Sequence, residues 1–134
     1  LYRAVENFLR NEEVKGENVK ENAMIGVLFG VIPKAAGKEA YLDLAAELRP
    51  ELDKIDGFIS IERFQSLNNP DKVLSLSFWR DERAVAQWRA HLGHQNAQNR
   101  GRSELFADYH IRIMQVIREY GMTPIPSAQS ARPE

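Results

Sequence analysis

Apolar residues recur along this chain with two different periods, and the switches between them mark out its elements. Ile25 to Ile32 (IGVLFGVI) is short, apolar and β-branched and stops at Pro33, which predicts a buried strand. Gly26 and Gly30 share one face of it, where missing side chains leave room under a helix or let a helix pack closely. From about Ala36 to Ile55 the residues Tyr41, Leu44, Ala45, Leu48, Leu52 and Ile55 recur at intervals of three and four. That is one stripe of an amphipathic helix, expected to kink or restart at Pro50 and closed by Asp56-Gly57. Phe58 to Gln65 and Val73 to Trp79 alternate as strands around the turn residues Asn68-Asn69-Pro70-Asp71, which predicts a hairpin. In the second of these, Leu74, Leu76 and Phe78 share one face and Val73, Ser75, Ser77 and Trp79 the other. Neither face is wholly polar, so both need cover.

Asp81 is a suitable N-cap for a second helix through Val85, Trp88, Leu92 and Gln95, ended by Gly101. Asp108 to Glu119 alternates Tyr109, Ile111, Ile113 and Ile117 with polar or long side chains, a fourth strand. The order βαββαβ, with right-handed crossovers, predicts an α+β, ferredoxin-like fold: a four-stranded antiparallel sheet with both helices on one face. Nothing in the chain remains to cover the other face, so a homodimer, sheet face against sheet face, is expected. The stretch from Ser77 to Tyr109, centred on Trp88, is where a pocket is expected.

Both ends differ from this domain, assigned to residues 24–120. Residues 1–23 are charged and Asn-rich, with a short helical stripe of Leu1, Val5, Phe8 and Leu9. Lys20-Glu21 is compatible with the codons AAGGAG, a bacterial ribosome-binding signal, so Met24 is expected to be the start and the preceding residues a translated leader. A genuine N-terminal arm is the alternative. Residues 121–134, rich in Pro, Ser and Ala, are expected to be mobile or draped over a partner.

Composition narrows the function. Eighteen basic and 19 acidic residues give a formal net charge of −1, with no electrostatic footprint for nucleic acid or an anionic membrane. There is no cysteine, hence no disulfide framework or thiolate site. No apolar run approaches the roughly 20 residues that span a bilayer, and the N-terminal residues lack the apolar segment of a secretory signal. A cytoplasmic protein is expected.

The run SFWRDERAVAQWR from Ser77, followed by His94, Gln98, Gly101-Arg102, Phe106 and Asp108-Tyr109, resembles the antibiotic biosynthesis monooxygenase (ABM) family over roughly Met24 to Tyr120. The resemblance implies a dimeric α+β barrel with a pocket in each subunit between sheet and helices. It also implies a cofactor-independent oxygenase that acts with O2 on a phenolic or quinol-type aromatic molecule. A haem-degrading branch of the family carries an Asn on the first strand, a Trp on the second helix and a haem-ligating His about ten residues later, close to three helical turns. Trp88 matches, but the strand position falls near Gly30 and the ligand position is Gln98. His94 lies only six residues after Trp88, which argues against haem.

Within that resemblance His94 is the candidate base for a phenolic proton, and Trp88 and Phe78 form the aromatic wall of the pocket. Gln98 and Arg102 would contact an oxyanion, and Tyr109 would donate to substrate. Each also has a structural reading: core for Trp88, helix-end hydrogen bonding for Gln98 and Arg102, strand packing for Tyr109. His91 and His94 stand three apart without an acidic ligand at suitable spacing, so no metal site is expected. His110 alternates away from Tyr109 and is expected at the surface. A rival from another class is a non-catalytic, ligand-sensing dimer, favoured if Trp88, Phe78 and Leu92 fill the pocket completely.

Overall fold

The computed structural model describes residues 23–35, 37–98 and 106–123. The expectations for residues 1–22, for Gly101 and Arg102, and for the tail from 124 onward lie outside these residues. In chain order the elements are β1 (Ile25–Pro33), α1 (Lys38–Asp53), β2 (Phe58–Gln65), β3 (Val73–Trp79), α2 (Glu82–Gln98) and β4 (Phe106–Gln115). The strands form one antiparallel sheet in the order β2-β3-β1-β4, the ferredoxin-like arrangement expected. No described helix is long and apolar enough to cross a membrane.

Register sorts the side chains into two faces, because neighbours along a strand point oppositely. Four cross-strand rows face the helices. They are Phe58, Trp79, Ile25 and Gln115; then Ile61, Ser77, Val27 and Ile113; then Arg63, Ser75, Phe29 and Ile111; and last Gln65, Val73, Val31 and Tyr109. The burial of Val73, Ser75, Ser77 and Trp79, against half-burial of Leu74, Leu76 and Phe78, shows which side the helices cover. Gly26 and Gly30 lie on the uncovered side, which corrects their expected place under a helix. A Cβ at Gly30 would come 3.0 Å from Leu74 Cδ2, and one at Gly26 3.4 Å from Phe78 Cε1. These glycines make room for large side chains on β3.

The hairpin between β2 and β3 forms through the turn chemistry expected of it. Ser66 Oγ accepts from the backbone N–H of Asn68 and Asn69, Asn69 Oδ1 accepts from that of Asp71, and Ser66 N–H donates to the Lys72 carbonyl at 3.0 Å. Asp81 caps α2, its Oδ1 accepting from Ala84 N–H at 3.0 Å.

Two boundaries differ from expectation. Helix α1 runs unbroken through Pro50 to Asp53. An interior proline costs about 3 kcal/mol, but Leu52 beyond it is 4% exposed, and burial of such a side chain returns roughly 1.5–3 kcal/mol. Packing against the sheet thus offsets the defect. Strand β4 starts at Phe106 and ends at Gln115, where Asp108 to Glu119 was expected. Val116 N–H still donates to the Met24 carbonyl at 2.9 Å, just before the start of β1, and Ile117 is 73% exposed.

The buried core is in two parts. One gathers Ile25, Leu52, Trp79, Ala84, Val85 and Leu92, and the other Val31, Tyr41 and Val73 with Phe29 and Tyr109 against it. Their buried strand residues, Ile25 and Trp79 in one and Val31 and Val73 in the other, belong to the outer rows of the sheet, and the two middle rows lie between them.

Candidate functional site: a cavity between the sheet and the two helices

The gap between the two core clusters is a cavity of about 120 Å³. Its floor is the two middle rows: Val27, Phe29 and Ile111 supply apolar surface, Ser75 and Ser77 keep the centre low, and Ile61 and Arg63 stand on the β2 side. Helix α1 roofs it with Tyr41, Ala45, Leu48 and Leu52, spaced four, three and four apart, so one stripe faces the sheet. Helix α2 adds Trp88 and Leu92, and Trp79 closes the end. Large residues at positions 75 and 77 would have merged the two clusters; the serines keep them apart.

Polar groups on the floor differ in how they are satisfied. The Trp79 indole Nε1–H donates to Ser77 Oγ at 2.9 Å, and that hydroxyl reaches the Val27 carbonyl at 3.5 Å. Arg63 Nε is fully buried and has no hydrogen-bond partner. From Trp79 a run of flat rings leads outward: Trp79 to Trp88 at 6.2 Å between centroids with 28° between planes, then Trp88 to His91 at 5.6 Å and 20°. His91 Nε2 lies 3.2 Å from Glu51 Oε2 on α1, close enough for an ion pair when the imidazole is protonated but outside hydrogen-bond alignment. Next to Trp79 in the chain, Arg80 bridges Asp56 and Asp81 at 3.2 and 3.0 Å, and these carboxylates, Asp56 foremost, hold its proton more firmly than usual.

Of the residues singled out in the sequence, Trp88 lines the cavity, half-buried. Phe78 does not: it lies on the uncovered face, packed over Gly26, because the alternation of β3 sends it opposite to Trp79. Tyr109 is on the helix-facing side but one row beyond the cavity, half-buried with its ring 6.3 Å from Phe29. His94 and Gln98 belong to the second half of α2, and their side chains, like all of Arg102, lie outside the described residues. His110 is exposed on β4. Sequence reasoning passed over Ser75, Ser77 and Arg63, although two small polar residues and one cation at inward strand positions were a visible signal. Trp88 and Leu92 border the cavity without filling it, so the condition set for a closed, non-catalytic core is not met.

Among the described residues no group of three or more His, Asp or Glu is placed to hold a metal ion. Haem does not fit the cavity as it stands. An engineered cavity of about 150 Å³ takes one benzene ring, and the described lining residues include no imidazole.

The comparisons with known proteins agree with this architecture. A jasmonate monooxygenase of the fungus Pyricularia oryzae is 46% identical over 93 residues, 69% of this chain and 43% of that protein. An uncharacterized Bacillus subtilis protein, YqjZ, is 30% identical over 63 residues, 47% of this chain and 54% of the relative. The chain thus spans about half the length of the curated relatives it matches. Among solved structures, a Shewanella oneidensis protein superposes with a TM-score of 0.61 at 20% identity, covering 74% of this chain and 95% of that one. The haem-degrader MhuD of Mycobacterium tuberculosis, solved with two hemes in its active site, superposes at 0.57 and 12% identity over 72% of this chain and 99% of its own. Those two likenesses establish a shared fold. The family model for antibiotic biosynthesis monooxygenase matches residues 24–100, from the start of the sheet to the end of α2, and the chain belongs to that family.

Proposed function

We propose that the protein is a monooxygenase that binds a small, largely apolar molecule in the cavity beneath Trp88 and oxidises it with O2. The observation that carries this is the void itself: a sheet and two helices able to close over a continuous core instead leave a mostly apolar, aromatic-walled space. Such a space holds a planar substrate beside O2 and excludes water from the reaction.

In the finer reading the substrate is a phenolic or quinol-type ring and no resident cofactor is required. Loss of the phenolic proton gives an electron-rich anion that passes one electron to O2. The two radicals combine as a peroxide, and collapse to the carbonyl product releases the second oxygen as water. His94 is the residue assigned to remove the proton, with Trp88 as the wall and Gln98 or Arg102 for the oxyanion. A second reading follows the Pyricularia relative, whose name makes an alicyclic keto acid the substrate. Two copies of the chain joined through their uncovered sheet faces complete the assembly.

The test is O2 consumption by protein freed of metal with chelator, offered an anthrone-type phenol, a quinol and jasmonic acid in turn. Turnover of one of them, reduced at least tenfold in Trp88→Phe and in His94→Ala, is the expected outcome. Rates that do not change in either variant remove both assigned roles, and no turnover of any removes the reading.

A further inference from the structure

We propose that Arg63 is a carboxylate anchor, so that the ligand of the cavity is an apolar organic acid held by its charged end at the β2 side. The inference rests on the cavity being the ligand site, and it adds the chemical class of the ligand and the residue that selects it.

The argument starts from register. Arg63 pairs with Ser75 on β3, and Ser75 with Phe29 on β1, which places the Arg63 side chain in a helix-facing row of the sheet among cavity-lining residues. A guanidinium is always charged and presents five donors. Other arginines in the structure have evident partners or water: Arg49 pairs with Asp53, Arg80 with Asp56 and Asp81, and Arg83, Arg112 and Arg118 are exposed. Arg89 Nε is shielded in the same way, but Arg89 does not line the cavity; Arg63 does, half-buried, with Nε shielded from solvent and no hydrogen bond or ion pair among the described residues. A desolvated donor on a cation that goes unused is costly, and an acceptor oxygen brought in by a ligand would relieve that cost. Ser75, 6% exposed on the neighbouring strand, likewise donates to no described group, so a second donor stands beside the first.

Geometry and charge select the ligand. The planar fork of a guanidinium matches the two oxygens of a carboxylate, whereas a phenolate offers one oxygen and a phosphate dianion calls for more than one cation. The remaining floor and roof, with Val27, Phe29, Ile61, Leu48 and Leu52, accept a hydrocarbon body. The volume of about 120 Å³ suits one ring or a short chain, and a larger ligand would extend beyond it.

Isothermal titration calorimetry with jasmonic acid and methyl jasmonate, which share a carbon skeleton and differ in the charge and one ester methyl, tests this directly. The full chain is expected to bind the acid about ten- to a hundredfold more tightly than the ester, the range spanned by a hydrogen-bonded charge. Arg63→Met should abolish that preference while leaving ester binding in place, and Arg63→Lys should restore part of it. Circular dichroism checks that each variant is folded; should Arg63→Met not fold, Arg63→Lys alone carries the test through its reduced preference. Equal affinities for acid and ester, no binding of either at millimolar concentration, or a preference unchanged in the variants would overturn the anchor. Arg63-dependent binding without O2 consumption keeps the anchor and removes the oxygenase reading, whereas turnover of a neutral quinol with no preference for the acid does the reverse.

Discussion

At the residue scale the cavity depends on two serines with different duties. Ser77 satisfies the indole of Trp79, which at 1% exposure has no water to fall back on. Ser75 has no comparable partner and serves by being small. Ser77→Ala should therefore lower unfolding free energy by about 1–3 kcal/mol, the cost of stranding a buried donor, and Ser75→Ala by much less. Urea denaturation of the two variants reads the difference, and equal losses would mean that the Trp79 contact contributes nothing of its own. The same pair shows what the sequence could tell and what it could not. Alternation put Val73, Ser75, Ser77 and Trp79 on one face correctly. Which face met the helices is a tertiary fact, and without it the expectation set Phe78 in the pocket wall, where Trp79 stands.

At the scale of elements the pattern of apolar residues was enough wherever one buried stripe or one buried face dominated, as in both helices and the β2–β3 hairpin. It misled at the edges. Ile117 continues the alternation of β4 in sequence, but the described pairing with β1 ends at Ile25 and Gln115, and Ile117 is 73% exposed. The turn into β2 is governed by Gly57, whose φ is +94° and whose carbonyl accepts from Arg80 N–H at 2.7 Å. An added Cβ would lie 2.8 Å from Ala84 Cβ, at the first turn of α2. Gly57→Ala should cost on the order of 1–3 kcal/mol from the backbone conformation, before any clash with α2 is counted. Thermal unfolding would show it; an unchanged midpoint would mean that the turn relaxes freely.

At the scale of the whole molecule the sheet has, among the described residues, one covered side and one bare one. Leu28, Leu74, Leu76 and Phe78 are only half-buried there, with Phe64 at 42% and Met114 at 40% exposure beside them. An apolar surface of this kind is the mark of an interface, and sedimentation of the full chain is expected to give a dimer. Leu76→Glu, near the middle of that face, should shift it to monomer at micromolar concentration without touching the cavity on the other side. A wild-type chain that sediments as monomer would end the pairing. The placement of the two tryptophans, the whole complement of this chain, has a practical corollary. Both indoles border the same hollow, so long-wavelength fluorescence of the unlabelled protein originates beside whatever enters it. The molecule carries its own optical gauge of occupancy, and a library of compounds can be sorted by quenching before anything is known about turnover.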